Sequence, residues 1–280
     1  MSEKSKYINV KGKLIDLGIP RVMGILNITP DSFYTGSRFR DKEEILKAAE
    51  KMLSDGADFI DVGGYSSRPG AVDLSSEDEK QRVLPAIKYI SDEFPDAIIS
   101  VDTFRPEVAL EAVTLCGAAI VNDISGGEAD PGMFPLIAKL NVPYILMHMK
   151  GTPATMHKNP QYEDVVSELL VWLGKKSVTL RESGVKDIIV DPGFGFGKNG
   201  SHNFEILRRL REFSILGLPV LAGLSRKSMI WKTLDVTPDE SLNGTTVLNT
   251  VALMNGANIL RVHDVREAAE TIRLILKIKK

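Results

Sequence analysis

The stretch Ala118-Ala119-Ile120-Val121-Asn122-Asp123-Ile124-Ser125 opens apolar and turns polar at Asn122. An apolar run of this length, rich in Val and Ile, reads as a strand buried on both faces, the kind found in parallel sheets. Seven more runs of the same design lie at 21–29, 58–64, 97–103, 143–150, 187–193, 219–226 and 258–264, making eight in all.

Between most of these runs the apolar residues take helical spacing. Ile45, Leu46, Ala49, Met52 and Leu53 precede a stop at Gly56, and Val83, Leu84, Ile87 and Ile90 precede Pro95. Strand and helix therefore alternate, which gives parallel βαβ units. The connection 104–117 is short and holds one helix. No Pro-, Ser- or Gly-rich linker divides the 280 residues, so the expectation is one α/β domain over 1–280, a single (β/α)8 TIM barrel. An open doubly wound sheet would show the same alternation. Ahead of the barrel, within 1–20, Tyr7-Ile8-Asn9-Val10 and Leu14-Ile15-Asp16-Leu17 flank Lys11-Gly12-Lys13 and predict a short N-terminal β-hairpin that caps the barrel bottom. The barrel proper occupies 21–265, and a C-terminal helix occupies 266–280.

Lys and Arg total 35 against 37 Asp and Glu, a net charge of −2. That balance offers no broad basic field for nucleic acid or an anionic membrane and points to small-molecule partners. The single cysteine, Cys116, excludes an intramolecular disulfide framework and a multi-cysteine metal site; its apolar setting predicts buried packing. The charged N-terminus is followed by no signal-peptide core, and no stretch approaches the roughly 18 apolar residues of a membrane helix, so a cytoplasmic protein is expected.

Each predicted strand ends polar: Asn27, Asp61, Asp102, Asn122, His148, Asp191, Ser225 to Lys227, and Arg261 with His263. Any one of these also suits a helix cap. In a barrel, however, the carboxyl ends converge on one face, where ligands bind, and the set becomes a polar crater. Asp102, Asn122 and Asp191 can exchange hydrogen bonds with a ring bearing NH₂ and NH groups, and Lys227 can donate to a ring oxygen, an inventory that fits a 2-amino-4-oxo heterocycle. Arg261 and His263, with Asn27, Ser66 and Ser67, are donors of the kind that hold phosphate.

Other motifs carry less. Gly195-Phe196-Gly197-Lys198-Asn199-Gly200 satisfies G-x-G-x-x-G, yet 213–222 holds no Asp or Glu to take a ribose. With Pro192 at the first glycine position and Asn199 after Gly197-Lys198 it is no P-loop either, so these glycines read as a tight turn. His148, His157 and His202 have no zinc-ligand spacing. The charge runs Arg208-Arg209 with Arg211, and Lys277-Ile278-Lys279-Lys280, read as solvated helix faces.

Met23-Gly24-Ile25-Leu26-Asn27-Ile28-Thr29-Pro30-Asp31-Ser32-Phe33 and Gly63-Gly64-Tyr65-Ser66-Ser67-Arg68-Pro69-Gly70-Ala71 resemble the two signatures of the dihydropteroate synthase family. The resemblance continues through Ser100-Val101-Asp102-Thr103, Val121-Asn122-Asp123-Ile124-Ser125-Gly126-Gly127 and Met147-His148-Met149-Lys150-Gly151-Thr152-Pro153. It then takes in Asp191-Pro192-Gly193-Phe194-Gly195-Phe196-Gly197-Lys198, Ser225-Arg226-Lys227-Ser228 and Arg261-Val262-His263-Asp264-Val265, so that it covers 21–265. The chain departs from the family pattern at Tyr65 and Ser67, where Glu and Thr are frequent; Ser67 keeps the hydroxyl.

The resemblance implies a transferase of folate biosynthesis. It would join 6-hydroxymethyl-7,8-dihydropterin pyrophosphate to p-aminobenzoate, giving 7,8-dihydropteroate and pyrophosphate through a dissociative substitution. It implies pterin contacts from Asp102, Asn122, Met147, Asp191, Gly223, Lys227 and Arg261, the last stacked on the ring. Pyrophosphate would fall to Asn27, Ser67, Arg261 and His263, with Mg²⁺ at Asn27. p-Aminobenzoate would fall to Phe33, Arg68, Pro69, Phe194, Lys227 and Ser228, and the catalytic group would be Asn27, Asp102, Lys227, Arg261 and His263. It further implies sulfonamide binding, a homodimer through 243–254, and loops after the first two strands that order over the pyrophosphate, so that the pterin substrate binds first. A methyltetrahydrofolate–corrinoid methyltransferase-like barrel and a non-catalytic pterin-binding barrel are the alternative readings of the same crater.

Overall fold

A computed structural model describes residues 6–28, 42–65, 74–153, 155–156 and 159–279. The N-terminal hairpin pairs β1 (Tyr7–Val10) antiparallel with β2 (Lys13–Asp16), in a register that sets Tyr7 against Asp16 and Val10 against Lys13. Lys11 and Gly12 supply the two positive-φ residues of its turn, at 50° and 83°, which is what a tight two-residue hairpin loop demands.

The barrel follows as β3 (Arg21–Asn27), α1 (Lys42–Ser54), β4 (Phe59–Gly63), α2 (Ser76–Glu93), β5 (Ile99–Asp102), α3 (Pro106–Thr114), β6 (Ile120–Asp123) and α4 (Met133–Leu140). Then come β7 (Tyr144–Met147), α5 (Val165–Glu182), β8 (Ile188–Asp191), α6 (Gly200–Arg208), a 3₁₀ turn over Leu210–Leu216, and β9 (Leu221–Ala222). The chain ends with α7 (Ser228–Leu234), α8 (Leu242–Met254), β10 (Ile259–Val262) and α9 (Val265–Ile278). The eight parallel strands are ordered β8-β7-β6-β5-β4-β3-β10-β9, and a parallel bridge between Val190 and Val220 brings the two ends together. The ring is therefore closed, and the doubly wound alternative is set aside. The seventh strand is shorter than the apolar run 219–226 suggests. Only Leu221 and Ala222 are laddered, because Gly223 and the residues after it leave the sheet to build the crater.

Side chains alternate across each strand. Outward-facing Val22, Leu26, Ile60, Val62, Val101, Val121, Leu146, Val190, Leu260 and Val262 are buried against the surrounding helices, each worth about 1.5–3 kcal/mol of transfer free energy. Helix α9 shows the matching stripe: Val265, Ala268, Ile272 and Ile275 face inward, at the spacing of one helical face. Inside the barrel, Met23, Phe59, Ile120, Ile145, Ile189, Leu221 and Ile259 form an apolar floor closed from below by Ile8, Val10 and Leu17 of the hairpin. The hairpin plugs the bottom as its sequence predicts. Asn258 ties it in, donating from Nδ2 to the Leu17 carbonyl at 2.6 Å while its Oδ1 accepts from Lys6 Nζ at 2.9 Å.

Among the described residues, no helix is long and apolar enough to cross a membrane.

Candidate active site

Two residues further along five of the eight strands, the inward positions change from hydrocarbon to Asp61, Ser100, Asn122, Asp191 and Arg261. With Asn27, Asp102, Met147, Gly223, Ser225, Lys227 and His263, most of these line one open cavity of about 890 Å³ at the carboxyl ends of the strands. The apolar floor lies beneath it, so the polar groups stand on a rigid base.

Arg261 occupies the centre. Its Nε donates to Asp61 Oδ2 at 2.6 Å and its Nη2 donates to Asp102 Oδ2 at 2.5 Å. Asp61 is fully buried on β4 and its Oδ2 also accepts from Asn122 Nδ2 at 2.9 Å. One carboxylate thus aligns a cation and an amide from two other strands. The two aspartates hold the guanidinium through Nε and Nη2, and Arg261 lines the cavity. Burial pushes the Asp102 carboxyl up to about 7, with Asp61 adding to the rise and Arg261 opposing it.

On the opposite wall, Asp191 Oδ1 accepts from the Gly193 amide at 2.7 Å, and burial raises its carboxyl above the usual carboxylate range. Gly223 stands between Asp191 and Lys227: a Cβ there would lie 4.0 Å from both Asp191 Oδ2 and Lys227 Nζ. Lys227 Nζ donates to the Phe194 carbonyl and rests 4.6 Å from the centre of the Phe196 ring. Burial lowers its amine to about 8, opposed chiefly by Asp191.

His263 lies beside Arg261 on the same strand end, its Nδ1 3.0 Å from Ser225 Oγ. Burial, helped by the Arg261 charge, pushes its ring down to about 4, which leaves a neutral imidazole at physiological pH. Behind it, Arg226 forms a two-pronged pair with Asp264, at 3.0 Å from Nε and 2.7 Å from Nη2, and so pins the 225–228 segment to β10.

Asn27, Asp102, Asn122, Met147, Asp191, Phe194, Gly223, Lys227, Ser228, Arg261 and His263 all line the cavity. Phe33, Ser67, Arg68 and Pro69, together with Ser66 and His157, lie outside the described residues. Tyr65, at the edge of the second signature, packs edge-on against Phe104 at 5.0 Å and joins the cavity wall. Three residues carry more than sequence reasoning gave them. Asp61 reads there as one polar strand end among eight and receives no ligand. Lys198 reads as part of a glycine turn, although it is buried against four acceptors. Arg209 reads as part of a solvated run, but it bridges Asp164, Glu205 and Glu212.

The expected glycine turn forms at Gly195 and Gly197, with φ of 83° and 65°, and Gly193 joins it at 70°, whereas Gly200 instead opens α6. A Cβ on Gly193 would stand 2.0 Å from the His148 carbonyl oxygen, so the backbone passes where only glycine fits.

A closed barrel with an acid- and amide-lined crater around a central arginine suits a planar, nitrogen-rich ring. The family model for pterin-binding enzymes matches residues 23–263. The dihydropteroate synthase of Escherichia coli strain K12 is 45% identical over 267 residues, 95% of this chain and 94% of its own length. Among solved structures, the Yersinia pestis dihydropteroate synthase in complex with a sulfonamide drug superposes with a TM-score of 0.93 at 38% identity, covering 98% of this chain and 99% of its own. The Xanthomonas albilineans dihydropteroate synthase with 4-aminobenzoic acid gives a TM-score of 0.90 at 36% identity, covering 99% of each chain.

The chain belongs to the pterin-binding enzymes. Its place among them is with the dihydropteroate synthases, transferases of folate synthesis that join a dihydropterin pyrophosphate to p-aminobenzoate. The methyltransferase-like and non-catalytic readings are thereby set aside.

Proposed function

We propose that the crater performs this condensation by letting pyrophosphate leave before the arylamine arrives. The observation that carries the reading is the convergence of Asp61 and Asp102 on Arg261, with Asn122 bonded to Asp61, facing Asp191 and Lys227 across one cavity. Asp191, Asn122 and Asp102 take the amino and imino edges of the pterin, and Lys227 donates to its ring oxygen. Arg261, held at its edge, stacks on the ring and faces the departing pyrophosphate, which Asn27, Ser67 and neutral His263 also meet. The C–O bond to pyrophosphate breaks and its electron pair leaves with the leaving group. The p-aminobenzoate nitrogen then attacks the pterin-stabilised methylene cation and sheds a proton. Catalysis is electrostatic stabilisation and positioning.

Asn27 lines the cavity and carries one amide oxygen, and among the described residues no cluster of three or more His, Cys, Asp or Glu surrounds it. That donor set fits Mg²⁺, a hard cation that takes few protein ligands and fills its shell with phosphate oxygens and water. When bound, Mg²⁺ would supply charge neutralisation to the leaving pyrophosphate.

p-Aminobenzoate is assigned to the part of the cavity lined by Phe194, Lys227 and Ser228; the family resemblance adds Phe33, Arg68 and Pro69, which lie outside the described residues. The 4-aminobenzoic acid and sulfonamide complexes of relatives support a p-aminobenzoate site and a sulfonamide-binding site in this chain. On α8, Val247, Val251 and Met254 present an exposed apolar stripe, which supports a homodimer through that helix. A cytoplasmic location is the corresponding proposal.

The experiment is positional isotope exchange with dihydropterin pyrophosphate carrying ¹⁸O in the bridging position, without p-aminobenzoate. Scrambling of the label into non-bridging oxygens is expected. Its absence, with turnover intact once p-aminobenzoate is added, would show direct displacement.

A further inference from the structure

Lys198 closes the turn 193–197 from behind. Its Nζ donates to the carbonyls of Phe196 at 2.8 Å, Gly193 at 2.9 Å and His148 at 3.2 Å, and lies 3.0 Å from His148 Nδ1. Nδ1 faces an ammonium and therefore accepts, which puts the ring proton on Nε2. Burial lowers the His148 ring to about 2, in keeping with a neutral imidazole. The lysine is only 5% exposed, and the carboxylate whose charge supports it is Asp191, which is not among its hydrogen-bond partners. Burial favours its neutral form. All four neighbours present lone pairs, however, and three N–H donors meet them better than two donors and a lone pair would.

A buried cation held by neutral acceptors is costly, and an apolar side chain of the same length would fill the space. What the charge secures is the conformation of the turn. The cavity side of that turn meets Lys227 twice: the Phe194 carbonyl accepts from Lys227 Nζ, and the Phe196 ring lies 4.6 Å from it. Gly195, between them, lets the Lys227 stem approach to 3.3 Å of where its Cβ would be. A shift of the turn therefore shifts Lys227.

We propose that Lys198 is a positioning residue for the condensation, fixing the turn 193–197 and through it Phe194 and the Lys227 ammonium at the p-aminobenzoate end of the cavity. The proposal rests on the assignment of p-aminobenzoate to Phe194 and Lys227 made above. Lys198 also borders the cavity, and its charge reaches Asp191 and Lys227; the positioning role is the part carried by the turn.

The test measures steady-state kinetics for both substrates, with thermal midpoints, on Lys198→Met, Lys227→Met and the double variant. Lys198→Met is expected to raise KM for p-aminobenzoate about tenfold with kcat less affected, the result of a misplaced binding group. The double variant is expected to be no worse than Lys227→Met alone, because two residues acting through one group are not additive. A Lys198→Met enzyme with a lower melting point and unchanged KM, while Lys227→Met raises KM, would overturn the positioning role alone. So would effects that multiply in the double variant. If Lys227→Met leaves KM for p-aminobenzoate unchanged, the assignment falls and takes this proposal with it. Should Lys198→Met not fold, His148→Phe keeps the ring and removes the accepting nitrogen; a smaller rise in the same KM supports the linkage, and an unchanged KM overturns it.

Discussion

Arg261 Nε lies 2.6 Å from Oδ2 of Asp61, a carboxylate 200 residues away in sequence and wholly shielded from solvent. The same oxygen accepts from Asn122 Nδ2. Asp61 therefore sets the pose of two groups assigned to the proposed pterin site without itself lining the cavity.

Asp61→Ala leaves Arg261 with Asp102 as its remaining carboxylate partner and takes the acceptor from Asn122. Removing one member of a buried pair costs about 3 kcal/mol, so the denaturation midpoint should fall. Pterin affinity of the folded fraction, measured by calorimetry, should also drop by about tenfold, or about 1.4 kcal/mol. A folded variant that binds pterin as tightly as the parent would show that Asp61 does not position Arg261.

Arg261→Lys keeps the charge but loses the planar fork that spans two carboxylates and stacks on a ring. We expect kcat/KM for the pterin substrate to fall by at least about tenfold while the fold holds. Steady-state kinetics decides the point, and parent-like turnover would mean that charge alone suffices.

His263 predicts a pH dependence. Its folded pKa of about 4 lies below the ordinary histidine value of 6.5, so between these values the unfolded chain takes up the proton first. Its contribution to stability is therefore present above pH 6.5 and is lost as pH falls from 6.5 towards 4. Compared with His263→Gln in chemical denaturation, the parent should lose relative stability over that window and keep a constant difference above it. A difference that changes instead between pH 7 and 8 would contradict a neutral, buried ring.

Gly193→Ala places a methyl group 2.0 Å from the His148 carbonyl oxygen on a backbone with φ of 70°. Both the clash and the left-handed conformation oppose it, so the loss should exceed that of an ordinary surface change, at about 3 kcal/mol or more. Thermal denaturation tests this; a loss under about 1 kcal/mol would mean that the 193–197 turn readily rearranges.

Much of the fold was legible because parallel strands buried on both faces leave unmistakable Val- and Ile-rich runs, as in Ile120-Val121, and because polar strand ends such as Asn122 and Asp191 mark the ligand face. The hairpin was legible from Lys11-Gly12 between two apolar runs. Less legible was what depends on distance in space rather than in sequence. Asp61 resembles its fellow strand ends until Arg261 is folded against it, and Lys198 resembles a surface lysine in a glycine-rich turn until His148 closes over it. The brevity of β9 was hidden because Leu224 continues the apolar pattern after the ladder has ended. Apolar patterning reports burial, not hydrogen bonding.

The central claim is tested most directly by incubating the purified protein with 6-hydroxymethyl-7,8-dihydropterin pyrophosphate and p-aminobenzoate, with and without Mg²⁺, and following dihydropteroate and pyrophosphate together. The account predicts both products in equal amounts, dependent on Mg²⁺ and lost in Arg261→Ala. Pterin binding with no dihydropteroate formed under any of these conditions would contradict it.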